Sequence, residues 1–206
     1  MLFQNEIVPG QKISYRELAE RLGMSLTPVI QALKRLEFQN LVRHEPNRGY
    51  FTEPVSLEEV QEIYELREAI ELSLLPVTIS KLDETGIEKL RGIVDQNAAS
   101  FQDFNLNDSL INDREFHLTL ASLSGRKIQL DTLRHLFDLL YLKYRGSLLF
   151  VTAKVPVGSE HQNIFDPVVA RDLEKAQKAL QNHFINVKGQ VLSALEQMIA
   201  TTKLTI

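Results

Sequence analysis

Asp113 and His117 stand four residues apart in the segment Leu110-Ile111-Asn112-Asp113-Arg114-Glu115-Phe116-His117-Leu118-Thr119-Leu120. On a helix that spacing makes them neighbours on one face, and the same face carries Leu110 and Leu120. A carboxylate and an imidazole pointing inward cost free energy unless something compensates them. Asp131 and His135 share the spacing and act as a control: their face continues with Lys127 and Asp138, so it reads as a solvated flank. The motif is common, and its placement on an apolar face singles out the first pair.

Two further histidines, His161 and His183, would lie roughly 33 Å apart on one straight helix, too far to share a ligand. Asp172 between them has the character of a helix N-cap, so the chain is expected to turn there. An antiparallel helix pair would then return both imidazoles toward Asp113 and His117. Three imidazoles and one carboxylate make a borderline nitrogen and oxygen donor set, suited to zinc, nickel, manganese or iron more than to calcium. At the level of the residues alone the plain alternative stays open, because a buried histidine is often a satisfied core group.

The elements that must position these residues follow from periodicity. Glu53-Pro54-Val55-Ser56 marks a boundary, with Ser56 and Glu59 forming a capping box. Beyond it the period is helical almost to the end. Helices are expected from about 57 toward 75 (stopped or kinked at Pro76), then around 83–100, 107–123, 127–150, 160–170 and 173–201. Val60, Ile63, Arg67, Ile70 and Leu74 fall on one face, which places a guanidinium on an inward stripe. Arg67 there either clamps a carboxylate bidentately, pairs internally with Glu71 one turn away, or bridges domains.

The first quarter of the chain has another character. Ser14 with Glu17 is a capping box, so a helix should begin at Tyr15; Leu18, Ala19 and Leu22 give its apolar face and Gly23 ends it. Ser25 caps a second helix with Pro28 in its first turn. Val29, Ala32, Leu33 and Leu36 form its buried stripe, leaving Thr27, Ile30, Gln31 and Lys34 opposite, with Leu26 and Arg35 at the margins. The pattern is a helix-turn-helix, whose second helix enters the DNA major groove and presents its N-terminal residues to base edges. The period then becomes extended: 41–45, a turn at Pro46-Asn47-Arg48-Gly49, and 50–52, a β-hairpin wing with a basic tip. The fold class expected is mainly α, with an N-terminal winged helix-turn-helix over 1–53 and an all-α bundle over 57–206. The bland alternative is a helix-turn-helix shape that serves as scaffolding without DNA.

Composition bounds these readings. Residues 1–52 carry 7 Lys and Arg against 5 Asp and Glu, whereas the rest carries 16 against 22. A weakly positive head on an acidic body suits phosphate contact by the head alone. The 206 residues contain no cysteine, which excludes disulfides and thiolate metal sites and fits a cytoplasmic protein. No apolar run is long enough to suggest a membrane span, and the N-terminus lacks signal-peptide character.

At this point the chain resembles GntR-family transcriptional regulators of the FadR-like subfamily with an FCD ligand-binding domain. In the head the resemblance lies in Pro9-Gly10, Leu18-Ala19-Glu20, Gly23-Met24-Ser25, Thr27-Pro28-Val29, Ala32-Leu33, Arg35-Leu36-Glu37 and Asn47-Arg48-Gly49. In the body it lies in Leu66-Arg67 with Glu71, Asp113 with His117, Glu160-His161, and Asp172 leading to His183. The resemblance implies operator contacts from Ser25, Thr27, Pro28, Gln31, Lys34, Arg35, Asn47, Arg48 and Gly49. It implies a divalent transition metal held by Asp113, His117, His161 and His183, receiving a small carboxylate effector. Arg67 is a candidate for that effector, as are Tyr141 and Arg145, whose alternative is surface or core packing. The implied protein is a homodimeric, ligand-responsive regulator, repressor rather than activator, bound to double-stranded operator DNA and not an enzyme. The rivals are a metal-dependent enzyme and a protein-interaction module. Two departures stand out: Leu26 and Ile30 occupy positions where the family usually has arginine, and only eight residues precede Pro9, where the family has a further helix. A shortened head is therefore expected.

Overall fold

The computed structural model describes residues 10–54, 56–102, 106–143 and 158–203. The expected shortening of the head falls on residues before Gly10, outside the described residues, as does Arg145. By spatial contact the chain divides into two units, Met1–Ser56 with Asp138–Gly146, and Leu57–Phe137 with Ser147–Ile206. The grouping of 138–146 with the head has no signal in the sequence.

In the head, α1 (Tyr15–Leu22) begins where the Ser14 hydroxyl accepts the Glu17 amide, and Gly23 ends it in the left-handed region at φ 62°. Helix α2 (Leu26–Phe38) follows, with Ser25 at its N-cap position but without a side-chain capping bond. The wing is β2 (Val42–Glu45) paired antiparallel with β3 (Gly49–Thr52), and Gly49 turns the corner at φ 101°, open to glycine alone. A strand that periodicity could not reveal, β1 (Lys12–Ile13), pairs with the other edge of β3, giving the order β1-β3-β2. Ile13, Ala19, Val29, Leu33, Val42 and Tyr50 form the core, with Leu36 partly buried against it. Ala32, expected in the buried stripe, is exposed: the sheet covers the Val29–Leu33 line and does not reach around to position 32.

The described residues of the second unit form helices joined by short turns: α3 (Leu57–Lys81), α4 (Glu84–Gln102), α5 (Leu106–Ser122), α6 (Lys127–Asp138), α7 (Gly158–Val169) and α8 (Leu173–Lys203). Instead of stopping at Pro76, α3 runs through it. Proline costs a helix interior about 3 kcal/mol, and burial of Leu74, Leu75, Thr78 and Ile79 on either side of the ring offsets it. Helix α6 passes into a π-helical turn, Leu139–Lys143, and the remainder of the expected 127–150 span lies outside the described residues. Of the stripe expected on α3, Val60, Ile63, Arg67 and Leu74 are buried and Ile70 is half-buried. Asp172 caps α8 by accepting the Lys175 amide at 3.1 Å. Beside it Arg171, at φ 57°, donates to the carbonyls of Ile79 and Leu82, closing the C-terminal end of α3. This corner folds α8 back along α7, and it is what brings two distant histidines together. Phe116, Phe137 and Phe184 pack around them in the core.

Candidate metal centre and nucleic-acid interface

Asp113 and His117 project from α5, His161 from α7 and His183 from α8, and one donor atom of each lies within 4.8 Å of all the others. The three imidazoles are buried, whereas the Asp113 side chain keeps 16 % of its surface. His117 Nε2 stands 3.1 Å from His183 Nε2. Asp113 Oδ1 is 3.6 Å from His117 Nε2 and 3.3 Å from His161 Nε2. Leu120 continues the buried face of α5 as expected, while the side chain of Leu110 lies outside the described residues. The control pair behaves as a solvated flank: Asp131 is exposed, bonded to Arg134 at 2.8 Å, and His135 is only half-buried.

Two carboxylates orient the rings from behind. Glu71 on α3 meets His117 Nδ1 at 2.5 Å, and Glu160 on α7 meets His183 Nδ1 at 2.8 Å while accepting from Asn186. With each Nδ1 proton donated to a carboxylate, both Nε2 lone pairs face the same point. Two lone pairs 3.1 Å apart repel unless a proton or a cation lies between them. Two of the separations, 3.1 and 3.3 Å, match the edges of a coordination shell, about 3.0–3.4 Å for donors at about 2.1 Å from a metal, while the widest, within 4.8 Å, leave the donors spread more than a bound ion would hold them. The residues present therefore fit a divalent ion.

Burial and neighbouring charges act differently on the three rings. Burial lowers the basicity of every imidazole; at His161 it prevails over Asp113 and pulls the pKa down to about 4. His183 is likewise lowered by burial in spite of Glu160. At His117 burial is outweighed by the Glu71 charge and by Asp113, which lift the pKa to about 9. Burial raises Asp113, but the His117 and His161 imidazoles beside it hold it well below the usual carboxylate range. Burial of Glu71 is similarly overcome by His117, and its pKa is lowered.

Arg67 is fully enclosed. Its Nε is 3.5 Å from Glu71 Oε1, and its guanidinium lies 3.9 Å over the Phe137 ring and 5.3 Å from Phe184. That geometry is the internal ion pair, extending the cluster into a chain Arg67–Glu71–His117. Tyr141 is buried on the π-helical turn. A polar cleft of about 380 Å³ between α7 and α8 opens on Glu160 and His183, with Lys175 and Lys178 among its lining residues. The ring-orienting roles of Glu71 and Glu160 escape a reading of the sequence, since both act across helices; the one available signal is their adjacency to Arg67 and His161.

In the head, Ser25, Thr27, Pro28, Gln31, Lys34 and Arg35 are all exposed. At the wing tip Asn47 takes the left-handed conformation at φ 64°, and Arg48, 69 % exposed, pairs with Glu45. A groove of about 790 Å³ runs between α2 and the wing, lined by Lys12, Ile30, Lys34, Phe38, His44 and Arg48 among others. Leu26 is 42 % exposed and Ile30 half-buried. Among the described residues no helix is long and apolar enough to cross a membrane.

A winged helix-turn-helix with an exposed second helix, carried on a chain with a buried three-histidine centre, defines a ligand-responsive DNA-binding transcription regulator. Residues 1–52 match the model of the bacterial regulatory proteins of the gntR family, and residues 62–186 match the FCD domain. The chain belongs to the GntR family of regulators that carry an FCD domain. It is 31 % identical over 184 residues to an HTH-type transcriptional regulator in an unstable DNA locus of Streptomyces ambofaciens, covering 89 % of this chain and 77 % of that one. It is 24 % identical to the HTH-type transcriptional repressor RspR of Escherichia coli, covering 90 % and 81 % of the two chains. The fold is shared with the solved structure of E. coli McbR/YncC, at a TM-score of 0.79 and 19 % identity over 93 % of this chain and 92 % of that one.

Proposed function

We propose that this regulator senses a small carboxylate through a divalent transition metal held by Asp113, His117, His161 and His183, and that it acts as a homodimeric repressor. The observation that carries the reading is the convergence of those four donors, with His117 and His183 each oriented by a carboxylate. One carboxylate among four donors leaves a divalent ion with a unit of positive charge uncompensated within the donor set, which favours an anionic ligand. Four protein donors fill a tetrahedral shell, so direct effector binding needs a metal with five or six positions, or zinc that expands its shell. When bound, the ion supplies an electrostatic anchor for the effector carboxylate.

The chain's own residues do the rest. Glu71 and Glu160 hold the ring tautomers, and Arg67 balances Glu71 where water is excluded, so Arg67 serves the cluster as a positioning residue in preference to an effector clamp. Tyr141 remains a candidate for the effector cavity. In the head, Ser25, Thr27, Pro28 and Gln31 would meet base edges, and Lys34, Arg35 and the Asn47-Arg48-Gly49 tip would meet the backbone. Two heads of a dimer would then meet successive turns of a palindromic operator. No catalytic step is assigned, since Glu115, the carboxylate next in sequence to the cluster, is exposed on another face of α5.

Operator affinity of the metal-loaded chain, titrated with a panel of small mono- and dicarboxylates, tests the reading. An acid that shifts affinity at least fivefold supports it, because regulation requires different affinities for two states. An operator complex indifferent to every acid while one of them binds the protein would refute the regulatory link. Conversion of any acid into product would instead favour an enzyme.

A further inference from the structure

We infer that α2 reads thymine C5-methyl groups, so the half-site this chain selects is built on A·T pairs at the positions met by its first two turns. The inference rests on α2 being the helix that enters the major groove, and deepens that reading by naming the bases.

From Leu26 to Leu33 the helix carries no lysine or arginine; its first cation is Lys34, two turns in. The common specific contact to guanine is a bidentate donor pair from Arg or Lys to O6 and N7. Nothing in the groove-entering end of α2 can make it. What that end presents is Leu26, 42 % exposed and close in sequence to the exposed Leu22 and Met24, with exposed Thr27 and Gln31 beside it. Leucine and the threonine methyl pack on the thymine methyl, and a glutamine pairs bidentately with adenine N6 and N7. All three side chains therefore favour the same base pair.

Ile30 differs from Leu26 although both are apolar and one turn apart. It is half-buried and lines the groove between α2 and the wing together with Lys34, Phe38 and Arg48. Cations thus flank the apolar contact on the side of the wing and the C-terminal half of α2. That division matches the ordinary one between positioning on phosphate and reading of bases. Leu26 is continuous with the exposed polar residues of the same helix, and the partner it fits is a methyl group projecting into the major groove.

The test uses the full chain. Sites are selected from a randomised duplex library at fixed salt, then resynthesised with single thymines replaced by deoxyuridine, which removes only the methyl. The same duplexes are measured with Leu26→Ala and Leu26→Arg. The expected result is an A·T-based half-site in which deoxyuridine at one position weakens the wild type about fourfold, the worth of one buried methyl. Leu26→Ala should lose that sensitivity at that position alone, and Leu26→Arg should select guanine there. A selected half-site with G·C at the α2 positions, or one indifferent to deoxyuridine, overturns methyl readout while DNA binding stands. Failure to enrich any site overturns the DNA-reading role of α2 together with this inference.

Discussion

The head and the bundle place their chemistry in opposite ways. In the head, an apolar core of small elements carries polar and cationic groups on its outside, where Thr27, Gln31, Lys34 and Arg48 are open to a partner. In the bundle, Arg67, Glu71 and three histidines lie inside, each within reach of another, among Phe116, Phe137 and Phe184. An exposed charge can be exchanged at little cost to the fold, so the head is free to vary its DNA preference. A buried charge cannot be exchanged singly, because its partner is then left unsatisfied in low dielectric. The Arg67–Glu71–His117 chain is consequently one electrostatic unit, in which the loss of one charge strands another.

The largest expected effect breaks that unit. Arg67→Leu leaves Glu71 with His117 alone to balance it and should cost about 3–5 kcal/mol in urea unfolding, whereas Arg48→Ala on the exposed wing should stay within about 0.5 kcal/mol. Equal effects from the two arginines would contradict the contrast. Next comes metal removal: chelation should lower the thermal midpoint of the bundle, with about 4 kcal/mol at stake where free metal is a thousandfold above its Kd. A midpoint indifferent to chelator and to added metal would count against the site.

Glu160→Gln sharpens the comparison within the bundle, because this carboxylate is half-buried and replaceable. Metal affinity should fall ten- to a hundredfold, the usual cost of losing a partner that orients a ligand, with the metal-free fold kept. Unchanged metal affinity in competition with a chromophoric chelator would remove Glu160 from the account. The pH response has a definite sign. The folded pKa of His117 is raised to about 9 from 6.5, so its proton stabilises the metal-free bundle fully below 6.5, and that contribution is lost as pH rises through 9. Metal must displace the same proton, so affinity should climb about tenfold per pH unit up to 9. Calorimetry in buffers of different ionisation enthalpy at pH 7.5 should detect proton release on metal binding; none would contradict it. Smallest is Lys34→Ala, which should lower the salt slope of operator binding by about one ion at unchanged stability.

Much of this molecule was readable from its residues because the signals are local. The Ser14 cap, the Gly23 stop, the wing turn and the Asp172 cap each depend on a handful of adjacent positions, and the structure has them in place. Asp172 mattered most, since the turn it marks is what allows His161 to meet His183. What escaped is long-range or too short to have a period. The β1 strand is two residues held by β3 across the head. Glu71 reads as a partner for Arg67 at i+4, yet its bond to His117 spans 46 positions. The continuation of α3 through Pro76 is a tertiary outcome, decided by the burial of its neighbours against the local preference to stop.

Whether four side chains from three helices hold one divalent ion is decided by equilibrium dialysis with elemental analysis. Wild type, His161→Ala and His183→Ala are dialysed against zinc, nickel, manganese and iron(II) in turn, with circular dichroism to confirm that each variant is folded. One ion per wild-type chain is expected for at least one metal, and none retained by either folded variant. Stoichiometric metal in both variants, or none in the wild type under any of the four, would contradict it.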